Sequence, residues 1–500
     1  MTQEQGRTEG QAVRGARAAD LEAVQRDRQG QGIRKLETGI PGFDHVTMGG
    51  LPHRRATVVA GQAGSAKTVF AGQFLAEGVR RGQPAVFVTL EEPADQLRSN
   101  LTTLGWDIAA WEQDELWRFV DASPVLGRQG QATPYSFEVL AAQIGQAVDR
   151  TAAERVVLDS LNGVMALTPE PGVARQRLRE LVGGLRASGL TVVMTVESAT
   201  DPAESLSRLG IEEFVADNVV LLRNSRQGRG RRRTLEVLKM RGAAHHKGDY
   251  AFTVLAGEGI VVLPVAPTRM APGRTTERVA SGVPDLDTLT RGGLLRDSIT
   301  LVAGPTGVGK TLLALEFLAV TAQQGERSLL LGYEESPEQI GRNAVGLGRG
   351  FDELRRRGHL HVASVYPEEA SLEDHLLEIK RMIDSVQPTR LAVDSLSALQ
   401  RAGSKDAFRE FVVGLTAFAK QRSLTTLLTS STLRSDESAL SESHVSTLAD
   451  AVVLMRHDER AGQVHRTLTV LKSRGSAHDT AVRSYRICDE GFSVGEPVPH

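Results

Sequence analysis

The sequence predicts an α/β chain built as two tandem domains, each a mostly parallel, twisted sheet flanked by helices. Three observations carry that prediction. Short apolar runs of strand type alternate with stretches of helical apolar spacing in each half of the chain, the pattern of strand and crossover helix that makes a parallel sheet. The phrase from Leu36 through Gly39 and Pro41 to Asp44 returns as Ser281, Gly282, Pro284 and Asp287, and Gly39 and Gly282 are the same 243 residues apart as Gly61 and Gly304. A repeat of that length is a duplicated domain, far longer than a solenoid unit. Finally, Gly304-Pro305-Thr306-Gly307-Val308-Gly309-Lys310-Thr311 fits G-x-x-x-x-G-K-[ST] without a mismatch, between the strand-like run 298–303 and the helical run 312–318.

That loop is expected to grip phosphate. Backbone N–H groups from Thr306, Gly307, Val308 and Gly309 into Leu312 would face the phosphates at a helix N-terminus, Lys310 would add a positive charge and the Thr311 hydroxyl would ligate magnesium. The first copy, Gly61 through Gly64, Ser65, Ala66, Lys67 and Thr68, has alanine where the pattern asks for glycine. If that position needs a positive φ, alanine costs about 1–2 kcal/mol. ATP binding is expected there too, since Lys67 and Thr68 are kept.

The duplication extends through the other chemistry. A strand-like run ends in Glu91-Glu92, and its copy ends in Glu334-Glu335, again 243 residues on. A solvated strand end explains one such pair; its recurrence favours catalysis, a carboxylate orienting and deprotonating the attacking water or hydroxyl. Apolar runs end in Asp159 and Asp394, 235 residues apart. A lone aspartate there is commonly an N-cap or turn residue, but a phosphate loop upstream in both halves makes it a magnesium carboxylate. Later, Lys239-Met-Arg241-Gly242 pairs with Lys472-Ser-Arg474-Gly475, 233 residues on.

Composition excludes several classes. With 59 basic and 61 acidic residues the net charge is -2, which gives no global pull toward nucleic acid or anionic membrane. The single cysteine, Cys488, rules out an internal disulfide or a cysteine-based zinc cluster, and no apolar run reaches the length of a membrane span. A cytoplasmic protein is expected. Residues 1–33 read as a disordered leader, 34–263 as the first domain, 264–277 as a proline-rich linker, 278–492 as the second domain and 493–500 as a short tail. The arginine-rich stretch 223–233 lies between two strand-like runs and reads as a solvated hairpin tip rather than a nucleic-acid patch. His245, His246 and His478 lack the companions of a metal site, so nucleotide contact or solvation is expected of them.

Tandem phosphate loops, paired glutamates after the third strand-like run and K-x-R-G late in each half resemble the KaiC family of RecA-like ATPases. The resemblance covers roughly residues 33–492, with further matching phrases around Asp121, Asp217, Tyr333, Asp394 and Ser443 to Thr447. It implies a double-ringed homo-hexamer with ATP and magnesium held between neighbouring subunits. The first domain would hydrolyse ATP; the second would also phosphorylate its own chain. Carried onto this sequence, Glu91 and Glu334 would be general bases beside Glu92 and Glu335, Thr68, Asp159, Thr311 and Asp394 would serve magnesium, and Ser446 and Thr447 would accept phosphate. Lys239, Arg241, His245, Arg466, Lys472, Arg474 and His478 would reach the ATP of the adjacent subunit. Two positions depart: Thr480 stands where the family has lysine, and Leu347 where it has an aromatic similar to a base-stacking residue. The family's clock members continue into a longer tail resembling the docking site of the activator KaiA, so a KaiA-type activator is not expected here; a KaiB-like partner on the first domain is left open. The competing readings are a RecA- or RadA-like DNA-dependent ATPase and an ATP-driven scaffold without kinase activity.

Overall fold

A computed structural model of the chain describes residues 33–123, 137–166, 170–198, 215–227, 230–263, 276–431, 445–460, 462–488 and 491–498. The chain divides into two compact units with the boundary at Pro264 and Val265. In the first unit the principal strands are β1 (Ala56–Gly61), β2 (Ala85–Thr89), β3 (Trp117–Asp121), β4 (Arg155–Asp159), β5 (Thr191–Glu197), β6 (Asn218–Gln227), β7 (Gly230–Met240), β8 (Asp249–Leu255) and β9 (Gly259–Val262). They form one nine-stranded sheet in the order β9-β8-β7-β6-β1-β5-β4-β2-β3. From β3 to β6 every pairing is parallel; β7 to β9 close the edge as an antiparallel meander.

The second unit repeats this with β10 (Ile299–Gly304), β11 (Ser328–Gly332), β12 (Leu360–Ser364), β13 (Arg390–Asp394), β14 (Thr425–Ser431), β15 (Ala451–Arg460), β16 (Gln463–Ser473), β17 (Arg483–Cys488) and β18 (Gly491–Pro497). Its order is β12-β11-β13-β14-β10-β15-β16-β17-β18. The predicted mostly parallel sheets are therefore present in both halves. Arg223 to Arg233 is largely strand, the ends of β6 and β7, which are neighbours in the sheet; residues 228–229, where the sequence places the hairpin tip, lie outside the described residues.

Strand-type alternation explains why each sheet is sandwiched. In the first unit Val59, Phe87, Val157 and Val193 point to one buried cluster, and Val58, Val86, Val88, Leu158 and Val192 to the other, so both faces are covered as a parallel sheet requires. Helix α1 (Lys67–Arg80) buries Phe70, Phe74 and Leu75 against the first face. Its counterpart α2 (Lys310–Ala322) is buried at Leu313, Leu315, Phe317 and Leu318. Under each helix lies a buried arginine at the start of a central strand, Arg155 over Phe74 and Arg390 over Phe317, with the guanidinium carbon 4.7 and 4.6 Å from the ring centres.

The last strand corrects the expected end of the second domain. β18 runs to Pro497, five residues past 492, because Gly491 at φ 104° lets the chain fold back and pair Phe492 with Ile487. The leader, apart from Ile33, lies outside the described residues. No helix among those described is long and apolar enough to cross a membrane.

Where β10 passes into the glycine loop, a Cβ on Gly304 would lie 2.3 Å from the Met455 carbonyl oxygen of β15. Gly304→Ala is therefore expected to cost about 1–3 kcal/mol by forcing the two strands apart. Urea unfolding of the purified variant checks this, and an unchanged midpoint would show that the strand end tolerates the spreading.

Candidate nucleotide-binding sites

Each glycine loop follows the strand at the sheet's centre and opens directly into a buried helix. In the second unit the loop turns at Gly307 and Gly309, with φ 81° and 103°, and Gly309 caps α2 in the left-handed conformation. The Lys310 ammonium donates to the Gly304 and Pro305 carbonyls at 2.9 and 2.8 Å. Lys67 does the same to Gly61 and Gln62 at 2.9 and 3.0 Å. Burial lowers both lysines from their ordinary value, against the pull of nearby carboxylates. Val308 is buried and its carbonyl accepts from the Tyr485 hydroxyl, which fixes the loop to the antiparallel edge. Thr306 is exposed and Leu312 partly buried beside it.

In the first loop Gly64 has φ 73°, and Ala66 adopts φ 73° at the cap of α1. The positive φ that the sequence raised as a condition is met, so alanine is strained here. Its methyl packs with partly buried Val254 against the cluster that holds Ile260. In the second unit those places are taken by Ile487 and Phe492, paired alike across the hairpin, and a Cβ on Gly309 would meet Ile487 Cδ1 at 2.5 Å. Smaller side chains on the first hairpin thus leave room for the methyl.

The acidic residues converge on the same end of each sheet. The Thr311 hydroxyl donates to Asp394 Oδ2 at 2.6 Å, and Thr429 donates to Asp394 as well. Asp159 receives equivalent bonds from Thr68 and Thr195. Burial pushes both aspartates upward, opposed by these hydroxyls and by the lysines. Glu91 follows β2; loss of solvent raises its carboxyl, a hydrogen bond from Ser160 acts the other way, and the Asp159 and Glu197 charges add to the rise. Glu92 offers its backbone carbonyl to the Thr89 hydroxyl. In the second unit Glu334 meets Arg401 at 3.4 Å, while Glu335 accepts from Asn343 at 2.9 Å and is raised chiefly by burial.

Glu197 was missed by the sequence reading. It ends β5 opposite Gly61, contacts Asn162 at 3.4 Å, and acts electrostatically on both Lys67 and Glu91. In the second unit Ser431 holds the same register against Gly304, and Ser397 donates to its carbonyl at 3.3 Å. Aligning the halves residue by residue through this strand would have found the third carboxylate, a difference of charge between otherwise parallel sites.

A second group of predicted residues sits elsewhere. β15 runs parallel to β10, with Thr300 level with Ala451, and β16 returns antiparallel, with Ala451 level with Ser473. Lys472 and Arg474 are therefore at the end where β10 begins, opposite the loop that follows Gly304. The Lys472 ammonium donates to the Ser446 and Ala449 carbonyls at 2.8 and 2.7 Å, and Arg474 to the Thr447 carbonyl at 2.6 Å. In the first unit Lys239 donates to the Ala216 carbonyl at 3.0 Å and the Arg241 amide to that of Asp217. His245 lies half-buried on the turn after β7. Neither ring nitrogen of His478 has a hydrogen-bond partner among the described residues. Arg466 is on β16 across from His457, six residues before Lys472 and toward the sheet's other end. Leu347 is buried in the core of the second unit, and Thr480 is exposed with its carbonyl bonded to Thr469. Ser443 lies outside the described residues.

Residues 36–266 and 279–498 each match the KaiC ATPase family. The chain belongs to that family. It is 45% identical to the circadian clock protein KaiC3 of Synechocystis sp. over 94% of both chains. It is 42% identical to the circadian clock oscillator protein KaiC of Thermosynechococcus vestitus, covering 92% of this chain and 89% of the other. The KaiC of Synechococcus elongatus is 40% identical over 95% and 92%. Membership of an ATPase family carries ATP binding with it.

The two loops make opposite demands on a methyl group. Gly309→Ala is expected to cost about 2–3 kcal/mol, from strain and overpacking together. Ala66→Gly should change stability by less than about 1 kcal/mol, relief of strain being offset by a lost methyl contact. Chemical unfolding of both variants tests the pair, and adding Ile487→Val to Gly309→Ala should return part of the loss.

Proposed function

We propose that this KaiC-family chain is a nucleotide-dependent double-ring hexamer with a timing or signalling role, whose first domain hydrolyses ATP and whose second phosphorylates itself on Ser446 and Thr447. One observation carries the reading. Lys472, Arg474 and the helix Val445–Leu448 bearing both hydroxyls form a single cluster at the end of the sheet away from their own glycine loop. Cations there serve phosphate only if the phosphate belongs to another subunit, and a phosphate brought to Lys472 is brought to Ser446 and Thr447 too.

In this reading ATP lies between Lys310, Thr311 and Asp394 of one subunit and Lys472, Arg474 and His478 of the next, with Arg466 toward the base. Lys67, Thr68 and Asp159 with Lys239, Arg241 and His245 make the first ring's equivalent. The hydroxyl and carboxylate oxygens of Thr311 and Asp394, and of Thr68 and Asp159, are hard donors suited to magnesium, which when bound would neutralise charge on the phosphates. Glu91 would take a proton from the attacking water in the first ring, and Glu334 from the acceptor hydroxyl in the second. Phosphate on Ser446 or Thr447 adds about −1.5 to −2 charges at a subunit boundary, which gives the ring a state to signal with. A KaiB-like partner on the first domain and a cytoplasmic setting are consistent with this assignment.

Glu91→Gln combined with Glu334→Gln is expected to lower ATP hydrolysis by about 10²-fold or more; turnover at the wild-type rate would remove both from the chemistry. Transfer between subunits has its own test. In mixed assemblies, chains carrying Ser446→Ala and Thr447→Ala should phosphorylate chains carrying Lys310→Ala, seen by peptide mapping. Phosphate absent from residues 441–447 even in the wild type would leave an ATP-driven scaffold, and stimulation of hydrolysis by single-stranded DNA would favour the DNA-dependent alternative.

A further inference from the structure

We infer that the second unit holds a site for a phosphate-class oxyanion, separate from its nucleotide loop. A cavity of about 200 Å³ lies where β13 and β14 begin, the end of the sheet opposite Gly304, lined among others by Arg278, Arg296, Arg390, Glu326, Thr389 and Thr425. Three guanidiniums thus face one carboxylate. Arg390 is only 5% exposed, and its Nη1 is spent on the Ala280 and Phe317 carbonyls at 2.8 and 2.6 Å. Its Nε and Nη2, one edge of the planar fork, have no protein partner among the described residues. Arg296 binds Glu277 through Nη2 at 2.7 Å, while its Nε is buried without a partner. Arg278 is fixed through its terminal nitrogens to Thr290, Gly293 and Ser476 and contributes charge.

The first unit shows how the same arginine is satisfied when no ligand is wanted. There Gln83 Oε1 accepts from both Nε and Nη2 of Arg155, at 3.2 and 3.0 Å. The residue 243 places on is Glu326, and its carboxylate accepts instead from the Thr389 hydroxyl at 2.6 Å. Lys35 and His53 occupy the places of Arg278 and Arg296. The second half has therefore released the fork edge of its buried arginine and added two guanidiniums around it. A planar fork offered edge-on is the geometry that binds tetrahedral oxyanions through paired hydrogen bonds. The Arg296 Nε is buried without a partner, a costly state that an anion entering the cavity would relieve.

The full chain, its glycine loops saturated with a non-hydrolysable ATP analogue and magnesium, is titrated with radiolabelled inorganic phosphate by equilibrium dialysis at constant ionic strength. One saturable site per chain is expected. Arg296→Gln should weaken it about tenfold or more, and Arg296→Glu should abolish it. Arg390→Lys, which keeps one donor group for Ala280 and Phe317 but offers no second edge, should weaken it likewise; the Arg296 variants decide the matter if that chain does not fold. Glycerol 3-phosphate in a parallel titration separates the sources: tighter binding than inorganic phosphate identifies a phosphorylated small molecule, weaker binding the free ion. Absence of saturable binding, or binding untouched by both Arg296 substitutions, overturns the site.

Discussion

In each unit the strand that feeds the glycine loop is clamped between two parallel neighbours, β5 and β6 around β1, β14 and β10's other partner β15 around β10. Parallel pairing on both sides gives the sheet two chemically different ends. Amide groups and a helix N-terminus gather where the central strands finish, which suits that end to phosphates. The opposite end gathers the segment leading into β6 or β15 and the return of β7 or β16, and it takes Lys239 or Lys472. The separation follows from strand direction alone. It also explains why glycine is needed at Gly304, since the loop must leave the strand while the neighbouring backbone is still in contact.

Duplication gave the two units one plan, and their differences fall into coupled sets. Alanine at position 66 is accompanied by Val254 and Ile260, where Gly309 is accompanied by Ile487 and Phe492. The Cβ space that Ala66 takes at the first loop is filled at the second by that unit's own hairpin, so the volume at each corner is shared out differently with little change in packing. Glu197 with Asn162, against Ser431 with Ser397, is a set of another kind. It alters charge beside the lysine of the loop without altering the strand that carries it. A third carboxylate near Lys67 places more negative charge around the first site than the second has, which would suit the water activation proposed for the first domain.

Much of this is legible in the sequence. Lys310, Thr311 and Asp394 are tied to strand ends by motifs whose spacing is set by backbone geometry, so apolar runs and glycines locate them. The positive φ at Ala66 was readable as a condition for the same reason. Glu197 escaped because a glutamate after an apolar run has no distinguishing neighbours; only the register of β5 against β1 brings it to Lys67. At Leu347, where the resemblance has an aromatic, the aliphatic side chain joins the core, because a resemblance carries a position but not the packing around it. The end of the second domain, set at 492, came too early because the strand from Gly491 to Pro497 pairs back onto β17.

The buried arginines carry the comparison between halves one step further. Arg155 and Arg390 rest alike on a phenylalanine of the loop helix and donate alike to a carbonyl of that helix, Phe74 or Phe317. Each joins the strand that ends in Asp159 or Asp394 to the helix that begins with Lys67 or Lys310. Anything that changes how the guanidinium is held at the strand's start bears on the relative seating of strand and helix, whose other ends meet at the Thr311–Asp394 hydrogen bond. In the first unit Gln83 fixes that arrangement from within the chain. In the second, two nitrogens of Arg390 face a cavity, so the seating is open to whatever the cavity holds, and the element that differs between the halves is the one under the residue proposed to carry the kinase site's magnesium.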